Sequence, residues 1–146
     1  KLELLVVQDA FKSETSLKAD VIFSAATWSE KEGTYTNSER RCNYARKAVE
    51  PLADTKSDFD IVLEFSKYFE GLNEKLYANW SEPRDAFNEW KKVSSGRLCD
   101  YSGMSYELIE ELGGIQWPCN EKYPKGKARY TMKICHVQVK MEKQNY

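Results

Sequence analysis

Histidine is almost missing from this sequence: His136 is the single one in 146 residues. A metal site built on imidazoles, or a histidine-dependent catalytic triad, therefore lacks parts. Cysteine is sparse too. Cys42, Cys99, Cys119 and Cys135 are widely and irregularly spaced and form no CxxC pair. That spacing supports neither an iron–sulfur cluster nor a structural zinc site, and free thiols in a reducing compartment are expected. No apolar run approaches the ~20 residues of a membrane-spanning helix, and no signal peptide is visible. Net charge is −1, from 22 basic and 23 acidic side chains, so neither nucleic acid nor an anionic membrane is indicated as a partner. Glycine-rich phosphate loops of the common types are absent as well. What remains is an ordinary globular composition, 41% hydrophobic and 31% charged, in a chain long enough to bury roughly 70% of its unfolded surface. The chain opens at Lys1 inside an apparent strand, and a boundary within a longer polypeptide is expected there.

Hydrophobic patterning predicts an α/β fold. Leu2 to Val7 is an apolar-rich run ending at Gln8-Asp9, and Val21-Ile22-Phe23 is a second short one. Between them Ser13-Glu14-Thr15 offers cap chemistry for a brief helix over Thr15 to Lys18, which suits a parallel strand pair. Ser24 to Arg41 is polar and charged and reads as a long ordered loop, followed by an extended piece over Tyr44 to Val49. Ser57, with Asp60 three residues on, predicts a capped helix whose core face is Ile61, Val62, Phe65, Tyr68 and Phe69, with Gly71 ending it. Ser81 and Pro83 start a second helix over about 82–93, with Ala86, Phe87, Trp90 and Val93 on its inner face. A third spans about 105–112, its inner face Tyr106, Ile109 and Leu112, stopped by Gly113-Gly114. Ala128 to Val139 reads as one or two strands.

Four positions and an arginine pair could carry binding chemistry. Gln8 and Asp9 lie just past a strand's carboxyl end, the edge at which open α/β sheets hold ligands. A carboxylate there can accept the paired N–H donors of guanine or the hydroxyls of a ribose, or it can simply cap a turn. Lys31, in Glu30-Lys31-Glu32-Gly33, can reach a phosphate or belong to a solvated charge run. Asp58 at the start of a helix can meet a ligand or complement the helix dipole. Arg40 and Arg41 can clamp an anion or form surface ion pairs. Trp28 and Trp117 fall in loops, where packing beneath the loop is the expected role.

Taken together, several strings resemble the molybdopterin oxidoreductase family. They are Val6-Val7-Gln8-Asp9, Ser13-Glu14-Thr15, Ala19-Asp20-Val21-Ile22, the block from Ala25 to Arg41, Arg46-Lys47-Ala48-Val49-Glu50-Pro51 and Ser57-Asp58. Gly96 to Tyr106 and Gly114-Ile115-Gln116-Trp117-Pro118-Cys119 are most similar to assimilatory, cytoplasmic nitrate reductases, with formate dehydrogenases as the near alternative. The resemblance covers roughly residues 4–130. Ser24 stands where the family usually has proline, and the sequence after about Tyr130 departs from the pattern.

The resemblance implies a large multidomain enzyme that reduces nitrate to nitrite at molybdenum held by bis-molybdopterin guanine dinucleotide. Electrons would arrive from a donor protein or subunit through a [4Fe–4S] cluster. The cluster ligands and the molybdenum ligand belong to a preceding part of such enzymes, and none of the four cysteines matches them. By resemblance Gln8, Asp9, Lys31 and Asp58 contact the dinucleotide: Asp9 or Asp58 the guanosine, Lys31 the pyrophosphate or ribose. The expected organisation is an α/β cofactor-binding segment over 1–71, a helical segment over 72–127 and a strand-rich or disordered tail over 128–146. The remaining domains of the same enzyme are the expected partners, and a non-catalytic module of the same fold is the alternative. Self-association of the piece through uncovered apolar surface is also expected.

Overall fold

The computed structural model describes residues 2–69 and 80–128. Strands β1 (Val6–Asp9) and β2 (Val21–Ser24) pair in parallel, Val6 opposite Val21 and Asp9 opposite Ser24. A 3-10 turn over Ser16–Lys18 makes the crossover. This is the predicted parallel unit, with one adjustment: β1 starts at Val6 and runs to Asp9, so Gln8 and Asp9 end the strand instead of following it.

Within the stretch read as a loop lies a hairpin. After a 3-10 turn at Trp28–Glu30, β3 (Gly33–Thr36) pairs antiparallel with β4 (Arg41–Ala45). Asn37 makes the reversal: its side-chain oxygen accepts from the Glu39 amide at 3.0 Å and the Arg41 amide at 3.1 Å. Arg40 takes the left-handed φ of 66° that a short hairpin loop demands. A polar composition hid this hairpin, although Thr34-Tyr35-Thr36 followed by Asn37 is β-prone sequence meeting a turn residue. Of the extended piece expected over Tyr44 to Val49, only Tyr44 and Ala45 lie in a strand, as the end of β4.

The three helices form where their caps place them. Ser57 accepts from the Asp60 amide at 3.1 Å and starts α1 (Asp58–Ser66). At α2 (Pro83–Ser94) the cap position is Glu82 and not Ser81. Asp85 accepts from the Ser81 and Glu82 amides at 2.7 and 3.1 Å. Ser105 caps α3 (Tyr106–Glu111), accepting from the Leu108 amide at 3.1 Å. The chain then forms β5 (Ile115–Gln116), which pairs antiparallel with β4 through Cys42 and Ile115. Sequence patterning showed no strand there. Gly71, the proposed boundary at 71, Cys135, His136 and the strand-rich tail lie outside the described residues.

One buried cluster joins Cys42, Phe87, Tyr101, Met104, Tyr106, Ile109, Ile115 and Cys119. Helical periodicity misassigned several other aromatics to the core. Phe87 is buried, but Trp90 is 43% exposed, Phe65 51% and Tyr68 85%. Periodicity gives the direction of a face and not its cover: α1 buries only Ile61 and Ser66. Val62, Phe65 and Tyr68 point where no described element packs on them deeply enough. Cys42, Cys99 and Cys119 are free thiols, and burial pushes the Cys42 and Cys119 thiols up.

Candidate functional site

The carboxyl edge of the parallel pair is built by backbone hydrogen bonding. Beyond β2, the Ala25 amide donates to the Asp9 carbonyl at 3.1 Å. On the other side the Ala26 amide donates to Lys56 at 2.8 Å and the Lys56 amide donates to Ser24 at 3.1 Å. Lys56 thus lies alongside as a third, parallel neighbour, and Ser57-Asp58 begin α1 beside the ends of both strands. Lys31 is delivered from elsewhere. Glu30 accepts from the Thr27 amide at 2.6 Å and the Thr27 hydroxyl at 2.9 Å, and its second oxygen accepts from the Leu52 amide at 3.2 Å. Ser29 accepts from the Ala48 and Val49 amides at 2.8 and 3.0 Å. These bonds fix the turn, so the next side chain, Lys31, has a defined origin.

Three of the four candidates converge. The Gln8 amide donates to one oxygen of Asp58 and the Lys31 ammonium donates to the other. Asp58 is half exposed at 51%, whereas the Lys31 side chain is 16% exposed. Partial burial pushes the Asp58 carboxyl up, but hydrogen bonds from Lys31 and Gln8, with the lysine charge, outweigh it and hold the group below its usual value. Asp9 stands apart. Its carboxylate accepts from the Ser13 hydroxyl at 2.8 Å and the Phe11 amide at 3.3 Å, which keeps its pKa low and shapes the turn leaving β1.

The arginine pair serves the fold. Arg41 donates to the Gly114 carbonyl at 3.0 Å and pairs with Glu39 at 3.5 Å, while Arg40 lies over the Trp117 ring at 4.9 Å. Trp28 packs on Tyr35, ring centres 4.1 Å apart. Beside the Lys31–Asp58 pair an open groove of about 370 Å³ runs between β3 and α2, walled in part by Phe59, Ala86, Phe87 and Trp90. Sequence reasoning assigned Phe87 and Trp90 to the core and left Phe59 unremarked. Nothing in helical spacing distinguishes a groove wall from a core face.

Residues 1–68 match the family model described as molybdopterin oxidoreductase. The chain is 39% identical over 125 residues, 86% of its length, to the F420-dependent formate dehydrogenase subunit alpha of Methanocaldococcus jannaschii. It is 43% identical over 118 residues, 81% of its length, to the F420-dependent formate dehydrogenase 2 subunit alpha of Methanococcus maripaludis. Over 138 residues, 93% of its length, it is 37% identical to the assimilatory nitrate reductase catalytic subunit of Bacillus subtilis.

The chain belongs to the molybdopterin oxidoreductase family.

It spans only 17%, 16% and 19% of those three relatives. Nitrate reductases and formate dehydrogenases of this family resemble it to a similar degree, so identity alone does not separate the two substrates. The family carries a molybdenum–pterin cofactor. Among the described residues no group of three or more His, Cys, Asp or Glu side chains is arranged to hold a metal ion. No helix among them is long and apolar enough to cross a membrane.

Proposed function

We propose that this chain supplies part of the dinucleotide-binding surface of a molybdenum-dependent oxidoreductase, gripping the guanosine diphosphate end of bis-molybdopterin guanine dinucleotide. The observation that carries the reading is the convergence of Gln8, Lys31 and Asp58 at the carboxyl edge of a parallel strand pair. The donor set fits the group. An ionised carboxylate has about four acceptor sites and an ammonium three donors. Asp58 and Lys31 are bonded to each other, and a ligand that parts them meets acceptors at the one and donors at the other. Asp58 would accept guanine N1–H and N2–H₂, Lys31 would face the phosphates, Gln8 would orient Asp58, and Asp9 would hold the turn that borders the ribose. The cofactor supplies the redox chemistry; these side chains bind and orient it.

For the whole protein we propose reduction of nitrate to nitrite. The resemblance of residues 96–106 and 114–119 and the 37% identity to an assimilatory nitrate reductase support it. A cytoplasmic setting, an electron-donor protein and a [4Fe–4S] cluster outside this chain complete that reading. Formate oxidation is the second reading, favoured by the 39% and 43% identities to formate dehydrogenase alpha subunits. Assays of the full-length enzyme, with nitrate plus reduced viologen and with formate plus oxidised viologen, separate the two.

Calorimetric titration of this chain with GDP and ADP tests the site. Selective GDP binding, weakened about tenfold or more by Asp58→Ala, is expected. Equal affinity for GDP and ADP would defeat the guanosine assignment, and no binding of either would defeat the half-site.

A further inference from the structure

The two groups assigned to opposite ends of guanosine diphosphate are bonded to each other. Lys31 donates to the same Asp58 carboxylate that Gln8 holds from the other side. The lysine side chain is 16% exposed, and its origin is fixed by the Glu30 ties to Thr27 and Leu52. The aspartate is rooted at the first turn of α1, beside its Ser57 cap. Each therefore has a defined position and a single close partner of opposite charge in the cluster. A phosphate arriving at Lys31 has to draw the ammonium away from Asp58, and a guanine arriving at Asp58 has to share the carboxylate with that ammonium.

Each half of the ligand thus competes with the contact that the other half removes. We propose that the Lys31–Asp58 pair is a latch that couples recognition of the base to recognition of the phosphates, so that neither half binds well alone and each strengthens the other. The inference rests on the proposed guanosine diphosphate site and adds its regulation. By linkage the coupling is reciprocal: pyrophosphate sharpens guanosine binding by the factor with which guanosine sharpens pyrophosphate binding. A half-exposed ion pair is a weak competitor, which sets that factor at about three- to tenfold. The same geometry gives the two single substitutions opposite signs for the two probes. Lys31→Met frees the carboxylate for guanosine and removes the phosphate contact. Asp58→Asn frees the ammonium for pyrophosphate and removes the guanine acceptor. A residue pair that merely shaped the groove would weaken both probes in both variants.

The test is calorimetric titration of the chain with guanosine and with pyrophosphate, each alone and each with the other saturating, and with GDP as reference. The original sequence, Lys31→Met and Asp58→Asn are compared, with circular dichroism confirming that each variant is folded. In the original chain guanosine affinity should rise about three- to tenfold when pyrophosphate saturates. In Lys31→Met guanosine should bind more tightly than to the original chain and ignore pyrophosphate. The latch is overturned if GDP binds selectively while guanosine affinity is indifferent to pyrophosphate, or if Lys31→Met weakens guanosine. Failure of GDP itself to bind overturns the site and the latch together. If Lys31→Met fails to fold, the Asp58→Asn arm decides: tighter pyrophosphate binding supports the latch, and unchanged or weaker binding rejects it.

Discussion

Asp100 is the buried carboxylate among the described residues, and replacing it with asparagine tests how the part of the molecule around it is held. The residue is 3% exposed. One oxygen accepts from the Gly96 amide at 3.0 Å and the Asn120 side-chain amide at 2.9 Å, and the other from the Ser102 amide at 2.9 Å. Burial alone would raise its pKa, but these hydrogen bonds outweigh burial and hold it at about 2, from 3.8. At about 1.4 kcal/mol per pH unit, that depression corresponds to about 2 kcal/mol of stability. Because the folded value is the lower one, the contribution is complete above pH 4, about half lost by pH 3, and almost gone near pH 2. Asp100→Asn keeps the shape but turns an NH₂ toward donors on one side, leaving buried N–H groups unpaired. A loss of about 2–4 kcal/mol at pH 7 is expected. Urea unfolding followed by circular dichroism, at pH 7 and at steps down to pH 2, gives the gap between the two proteins. That gap should narrow below pH 4. A gap under about 0.5 kcal/mol at pH 7, or one that stays constant with pH, would refute the account.

Three further outcomes follow from the packing. Ile109→Ala, in α3 and 1% exposed, should cost about 2–5 kcal/mol in urea unfolding. Gly126→Ala should destabilise by more than about 1 kcal/mol in the same assay, because φ is 78° and a Cβ there would collide with the Gln116 carbonyl and approach Ile115 Cγ2 at 2.7 Å. Ile22→Lys, on a strand face that is 47% exposed at that residue, should reduce concentration-dependent self-association in light scattering and leave the circular dichroism spectrum unchanged. A monomer at every concentration before substitution would remove the basis for that expectation.

Where local chemistry decides the backbone, the sequence was legible. Ser57 caps its helix as read, and the two apolar runs become the parallel pair. The hairpin over 33–45 was hidden by its polar composition, and the pairing with β5 and the packing of Cys42 that complete it are contacts that span the chain. The outward faces of α1 and α2 were misread for a related reason: amphipathic spacing encodes a direction and cannot show that a covering element exists. For the site, strand position singled out Gln8 and helix position singled out Asp58, but only the tertiary structure unites them with Lys31. It also gives Asp9 the turn-holding role that had been its structural alternative.

The buried cluster draws on β4, α2, α3, β5 and the loops between, and none of its members comes from β1, β2 or α1. Resistance to opening is therefore unevenly distributed, and amide hydrogen exchange should resolve two cooperative units. Amides around 101–119 would exchange only on global unfolding, while those over 6–24 and 58–66 would exchange through cheaper, partial opening. Gln8 and Asp58 sit in the second unit. A ligand seated there would recruit order into the weaker part of the molecule, and its signature would be slowed exchange in β1 and α1 with little change around 101–119.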